Sequence, residues 1–107
     1  MSGTIEILNG TGLALTGWVY TAILEKVAAN LVKCGNLNLA RKLTDNSSVV
    51  FVVDMLNLAD RERWSLEEAT AIESSLRDVC TEIVKAESRN ATPELVIQGA
   101  GRLLKIL

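Results

Sequence analysis

The sequence predicts a mainly α-helical domain, a compact bundle of about four to five helices with a short β element at its N-terminal end. Three observations predict it. Long segments repeat apolar residues at the three- and four-residue spacing of amphipathic helices. Capping residues, glycines and one proline mark the ends of these segments. The 107 residues are 49% hydrophobic and 22% charged, as in ordinary soluble domains, so we expect one domain over residues 1–107.

The β element comes first in the chain. Residues Thr4–Leu8 are rich in β-branched side chains and alternate through Ile5, Glu6 and Ile7, which predicts a short strand. Asn9-Gly10 then predicts a turn, because both residue types tolerate a positive φ. Residues Leu13–Leu15 are a candidate second strand of a hairpin.

The first helix is predicted over about 17–34, with Thr16 as its cap and Gly35 as its stop. A helical wheel separates a wide apolar face from a more polar one. The apolar face holds Tyr20, Ile23, Leu24, Val27, Ala28, Leu31 and Cys34, and the other side holds Trp18, Glu25, Lys26, Asn30 and Lys33.

The middle of the chain admits two readings. Leu37, Ala40 and Leu43 indicate a short helix. Residues 49–53 are β-branched or aromatic and favour a strand, yet the apolar run continues to Leu58. We predict a helix over residues 54–60 and leave residues 49–53 open. If they form a strand that pairs with residues 5–8, the domain is α+β.

Two further helices are predicted. Ser65-Leu66-Glu67-Glu68 is a capping box that starts a helix reaching about Glu87. Thr92-Pro93-Glu94 starts the last helix, with the proline at its first position. Its Gly99 and Gly101 indicate either a close helix contact or fraying. The apolar arc comprises Leu95, Val96, Ala100, Leu103, Leu104 and Leu107.

Most catalytic and cofactor-binding motifs are missing from the sequence. The third glycine after Gly10-Thr11-Gly12 comes too late for a dinucleotide fingerprint, and Trp18 stands where a phosphate-binding loop needs lysine. The chain has no histidine, which excludes histidine-based triads and the common zinc sites. Cys34 and Cys80 form no paired motif, so we expect buried, reduced thiols. We therefore predict a protein that is not an enzyme and has no cofactor or metal.

Charge is unevenly distributed along the chain. Residues 54–87 carry nine acidic and four basic residues, net −5, whereas 1–53 and 88–107 are net +1 and +2. On the predicted helix Glu67, Ser74, Ser75, Asp78 and Glu82 share one side. Such a surface favours a basic protein partner over direct contact with nucleic acid. The uncharged stretch 7–24 is short and rich in glycine and threonine, so we expect a cytoplasmic protein without a membrane segment.

The sequence favours a small acidic protein-binding module. Its most concrete form is an immunity protein or antitoxin-type inhibitor that occludes a basic, nuclease-like bacterial toxin. Glu67, Asp78 and Glu82 would steer the partner, with Trp64 and Arg63 in contact with it. Trp64 alternatively belongs to the core, as the hydrophobic residue preceding a helix cap.

The sequence is also compatible with two other functions. The broad apolar arcs of 17–34 and 95–107 fit a structural or adaptor subunit that forms a homo-oligomer. A carboxylate-metal enzyme would use Glu67, Glu68, Asp78 and Glu82, although no paired ligand motif supports it.

Overall fold

The computed structural model describes residues 2–47, 54–85 and 93–107, and in these ranges the chain forms three strands and four helices. The predicted mainly helical class is confirmed, together with β structure at the N-terminal end. The elements in order are β1 (Ser2–Glu6), β2 (Gly12–Thr16), α1 (Gly17–Lys33), α2 (Leu37–Ser47), β3 (Asp54–Asn57), α3 (Leu66–Lys85) and α4 (Glu94–Ile106).

The predicted hairpin forms from β1 and β2, which pair antiparallel with Ser2 opposite Thr16 and Glu6 opposite Gly12. Gly10 lies at φ +87° in the connecting turn. The Asn9 Oδ1 atom accepts a hydrogen bond of 2.8 Å from the Thr11 amide, which closes the turn locally. The glycines of this stretch therefore serve a hairpin turn and the entry to α1.

The helix predicted over residues 54–60 is wrong, because residues 54–57 form β3. This strand pairs parallel with β1, so that the sheet order is β2-β1-β3, and the Leu58 amide continues the pairing to the Glu6 carbonyl at 2.8 Å. Leu56 and Leu58 are buried. Their two-residue spacing is that of a strand, and pairing with a segment about fifty positions earlier outweighs the local helical pattern. The open segment 49–53 lies outside the described residues.

Helix α1 ends in a Schellman motif. The Asn36 amide donates to the Leu31 carbonyl at 2.8 Å, and Gly35, at φ +87°, donates to Val32 at 3.0 Å. The predicted stop at Gly35 is confirmed. Thr16 is the N-cap residue, but its side chain makes no capping hydrogen bond. Cys34 was expected on the core face; it lies past the last turn of α1 and is exposed.

The core surrounds α1, which contacts the sheet, α2, α3 and α4. One side of α1 is buried along its length and includes Tyr20, Ile23, Val27 and Leu31, as the wheel predicts. The ring of Tyr20 lies directly over Gly3 of β1. Burying an apolar face on several sides makes α1 the central element of the fold.

Helix α4 crosses α1 at Gly99. A Cβ atom built on Gly99 would lie 3.0 Å from Val19 Cγ1 and 3.3 Å from Leu15 Cδ2, whereas one on Gly101 would meet nothing within 4 Å. Gly99 therefore permits a close helix contact, one of the two predicted roles. Pro93 is the N-cap residue of α4, one position before the predicted place, and Leu95 of the predicted apolar arc is exposed.

Candidate protein-binding surface

The predicted capping box starts α3. The Glu68 amide donates to Ser65 Oγ at 3.1 Å, and Glu68 Oε1 accepts from the Ser65 amide at 2.9 Å. Both bonds satisfy amides that a helix leaves unpaired at its start. The reciprocal pair fixes the direction of α3 and hence of every side chain on its outer surface.

Glu68 also links α3 to α2. The Lys42 Nζ atom lies 2.8 Å from Glu68 Oε1 and 5.1 Å from the centre of the Trp64 ring. The hydrogen bond from Lys42 lowers the pKa of Glu68, with a further contribution from the Ser65 amide. The Glu68 carboxylate thus connects α3 to α2 through Lys42. Lys42 in turn contacts Trp64, in the loop that precedes α3.

Glu68 makes the stability of the fold depend on pH. Because the pKa of Glu68 is lower in the folded protein than its ordinary value of 4.5, its contribution is complete above that value and is lost as the pH falls through the folded pKa. We expect Glu68→Gln to retain the cap but lose the Lys42 ion pair, which costs less than about 1 kcal/mol at neutral pH and flattens the acid loss of stability. Urea unfolding at several pH values measures both effects.

Glu68→Ala is the comparison for that substitution, because it removes the bond to the Ser65 amide as well as the ion pair, whereas the amide of residue 68 still donates to Ser65 Oγ. We expect it to cost up to about 1 kcal/mol more than Glu68→Gln at every pH, the net contribution of one hydrogen bond. Equal costs would show that the amide of Gln does not replace the carboxylate in the cap.

The outer side of α3 carries three acids. Glu67, Asp78 and Glu82 are exposed, and none of them forms an ion pair with another residue of the described ranges. We call Glu67, Ser74, Asp78 and Glu82 the acidic face. Asp78 and Glu82 are one turn apart, and Glu67 lies about 16 Å from Asp78 along the helix axis. Lys85, three residues after Glu82, is the one base on this side of the helix, and it forms no ion pair with these acids in the described part of the chain.

Ser75 was expected on this face, but it is buried between α3 and α1. Its Oγ atom accepts a hydrogen bond of 2.8 Å from Asn30 Nδ2 and donates one of 3.4 Å to the Val27 carbonyl. Asn30 was likewise assigned to the polar side of α1. Each residue lies at the edge of the apolar face of its helix. There the two polar side chains supply hydrogen-bond partners for each other. The feature of the sequence that could have indicated this pair is that each residue lies beside buried residues on the helical wheel of its own helix.

The structure separates the two remaining predicted contact residues. Trp64 is 2% exposed and belongs to the core, the second of its two predicted roles. Arg63 is exposed, with its Nε atom 4.0 Å from Asp60 Oδ2. Arg61 bonds to the carbonyls of Leu58 and Trp64 rather than to an acid, and so ties the loop that precedes α3. Arg63 is therefore an exposed charge in the loop that precedes α3, whereas Trp64 is part of the core.

An open groove of about 540 Å³ lies next to the first turns of α3. One wall is the turn and helix start at 35–39, and the other consists of Glu67, Glu68 and Ala71. Leu37 on its rim is 47% exposed. The sequence did not predict this groove, because it depends on how α2 packs beside α3.

The two cysteines differ in accessibility, since Cys34 is exposed and Cys80 is buried. Burial raises the pKa of the Cys80 thiol to about 12, so the neutral thiol is favoured at neutral pH. In the three described ranges no group of three or more acidic or cysteine side chains is placed to share a metal ion. None of the helices there combines the length and apolarity that crossing a membrane requires.

Comparison with known proteins finds no match to this chain among protein-family models, curated proteins or solved structures.

Proposed function

We propose that this protein binds a positively charged protein through the acidic face of α3. The observation that carries the proposal is the row of exposed acids, Glu67, Asp78 and Glu82, without cationic partners among the described residues. Fixed like charges on a rigid helix cost a few tenths of a kcal/mol per close pair. A basic partner repays that cost and is steered toward the surface at long range.

The most concrete form of this function is an immunity protein or antitoxin-type inhibitor that occludes a basic, nuclease-like bacterial toxin. A nuclease needs a positive surface to hold phosphate groups, and an acidic helix can cover that surface without doing chemistry. The firm anchoring of α3 by the capping box and by Lys42 supports such a role, because a preorganised surface loses little entropy on binding. Arg63 is the exposed contact at the edge; Trp64 supports the loop from within.

A structural or adaptor role is the second candidate. Trp18 on α1 is 48% exposed, and a half-exposed tryptophan favours an interface, where this residue type is enriched. Sedimentation at several protein concentrations separates the two candidates. A dimer that dissociates on Trp18→Ala supports the adaptor role, and a monomer contradicts it.

Reversing two charges tests the main proposal. We expect Asp78→Lys with Glu82→Lys to slow association with a basic partner, sought first among the products of neighbouring reading frames, by about tenfold or more at low salt, with little change in melting temperature. The reason is that long-range steering acts before contact, whereas both side chains are exposed in the folded protein. Surface plasmon resonance at several salt concentrations measures the rate, and added salt should reduce the difference.

Glu25→Lys with Glu94→Lys is the matched control, because it makes the same change in net charge at exposed positions on α1 and α4 instead of α3. Equal slowing by both double variants would show that only net charge matters. Binding that ignores salt and both pairs of substitutions would contradict the proposal. A fall in melting temperature for the first pair would mean that the acidic face supports the fold.

A further inference from the structure

The groove beside α3 has a polarity that limits its ligand. Its lining includes two acids, Glu67 and Glu68, and no basic side chain. Glu68 is already engaged by Lys42 and by the Ser65 amide, whereas Glu67 has no ion-pair partner in the described part of the chain. The groove therefore keeps one uncompensated negative charge, at Glu67, and an anionic ligand is disfavoured there.

The same groove also has apolar surface. Leu37 is 47% exposed on the rim, and Leu39 and Ala71 are half-buried behind it. Leu37 follows directly on the Schellman turn, where the Asn36 amide is fixed on the Leu31 carbonyl. The wall at residues 35–39 is thus held by the hydrogen bonds of the Schellman turn. The opposite wall, on α3, is held by the capping box. An apolar group placed against Leu37 would lose contact with water without any rearrangement of these supports.

We infer that the groove holds an apolar side chain of the basic partner that is flanked by an arginine or lysine. The apolar side chain covers Leu37, and the neighbouring cation reaches Glu67. This inference rests on the proposed function and adds a place where the partner is anchored: Asp78 and Glu82 attract it at a distance, and the groove fixes its register. Charge complementarity selects this occupant over an acidic or purely apolar one.

Three capped tripeptides probe the groove in isolation. Backbone amide NMR of the isotope-labelled protein is recorded during titration with acetylated, amidated Arg-Leu-Arg, Arg-Ser-Arg and Glu-Leu-Glu. We expect Arg-Leu-Arg to shift the amides of Leu37, Leu39 and Ala71 with saturation, and Arg-Ser-Arg to bind there about fivefold more weakly, because it lacks the apolar group. Glu-Leu-Glu should leave these amides unmoved.

Two matched pairs of variants complete the test. Leu37→Ser should weaken Arg-Leu-Arg binding about fivefold, and Glu67→Gln should also weaken it. Leu95→Ser and Glu94→Gln change the same residue types at exposed positions on α4 and should have no effect. Heteronuclear spectra of each variant show that the fold is retained.

The outcomes separate this inference from the proposed function. Equal binding of Arg-Leu-Arg and Arg-Ser-Arg, binding of Glu-Leu-Glu, or shifts confined to Asp78 and Glu82 would overturn the groove assignment. If Leu37→Ser leaves the affinity for the basic partner unchanged while Asp78→Lys with Glu82→Lys slows association, the proposed function stands and the groove is not its anchor. If neither change affects the partner, both fail.

Discussion

Gly3→Ala should destabilise the protein by about 3 kcal/mol, the upper part of the range for overpacking a core. A Cβ atom built on Gly3 would lie 2.2 Å from Cγ and 2.4 Å from Cδ2 of the Tyr20 ring, distances that atoms in contact do not reach. Gly3 is buried in β1, the central strand, and Tyr20 is buried on α1. The methyl group must therefore push the sheet away from the central helix. Urea unfolding followed by circular dichroism measures the loss.

Removing the tyrosine ring should not rescue Gly3→Ala. The Cβ atom of Tyr20 would itself be 2.6 Å from the added methyl group, so the collision includes atoms that every residue except glycine carries. The double variant with Tyr20→Ala should consequently be less stable than either single variant. A stability that returns to that of Tyr20→Ala alone would show that only the ring conflicts.

Gly101→Ala is the control for this substitution. Nothing lies within 4 Å of a Cβ atom built on Gly101, and the residue is in the interior of α4. Alanine there should stabilise the protein by up to about 1 kcal/mol through helix propensity. The opposite signs of the two substitutions would separate a steric requirement for glycine from its ordinary backbone cost.

Local signals in the sequence account for most helix boundaries. The capping box at Ser65 and Glu68 and the stop at Gly35 appear in the structure as predicted. Each depends on residues within five positions of one another, so its free energy is nearly independent of the rest of the fold. The same reasoning holds for the hairpin turn at Gly10.

The β3 strand, unlike these helix boundaries, depends on contacts that are distant in the sequence. Its hydrogen bonds are to β1, about fifty residues earlier, and nothing within the segment itself records that partner. An apolar run of four to eight residues is compatible with a strand or a buried helix. The helix prediction for residues 54–60 was wrong because residues 54–57 form hydrogen bonds with β1. These bonds become available only when the core assembles and brings the two segments together.

The candidate surface was predictable in part. The exposure of Glu67, Asp78 and Glu82 follows from the wheel of one helix. The burial of Ser75, the exposure of Cys34 and the groove beside Leu37 depend on which helix packs against which side of its neighbour. Helical periodicity gives the direction of a side chain but not the identity of the element opposite it.

The largest single loss of stability is expected from Trp64→Ala, at about 3–5 kcal/mol. Trp64 is among the largest fully buried side chains, and its ring lies against the Lys42 ammonium group that pairs with Glu68. Truncation would leave a cavity beneath the start of α3 and free Lys42 from the ring. Since small domains are stable by about 5–15 kcal/mol, this one change would remove a large part of the total.

Trp18→Ala is the matched comparison, because Trp18 is 48% exposed. It should cost less than about 1 kcal/mol in the monomer, as surface substitutions do. Similar losses for the two tryptophans would contradict the burial of Trp64. Loss of partner binding in Trp64→Ala would therefore be explained by unfolding of the binding surface. Trp64→Phe keeps most of the buried volume and tests binding without that loss of stability. If Trp64→Phe retains stability but loses the partner, Trp64 contacts the partner after all, and α3 must shift on binding to expose it.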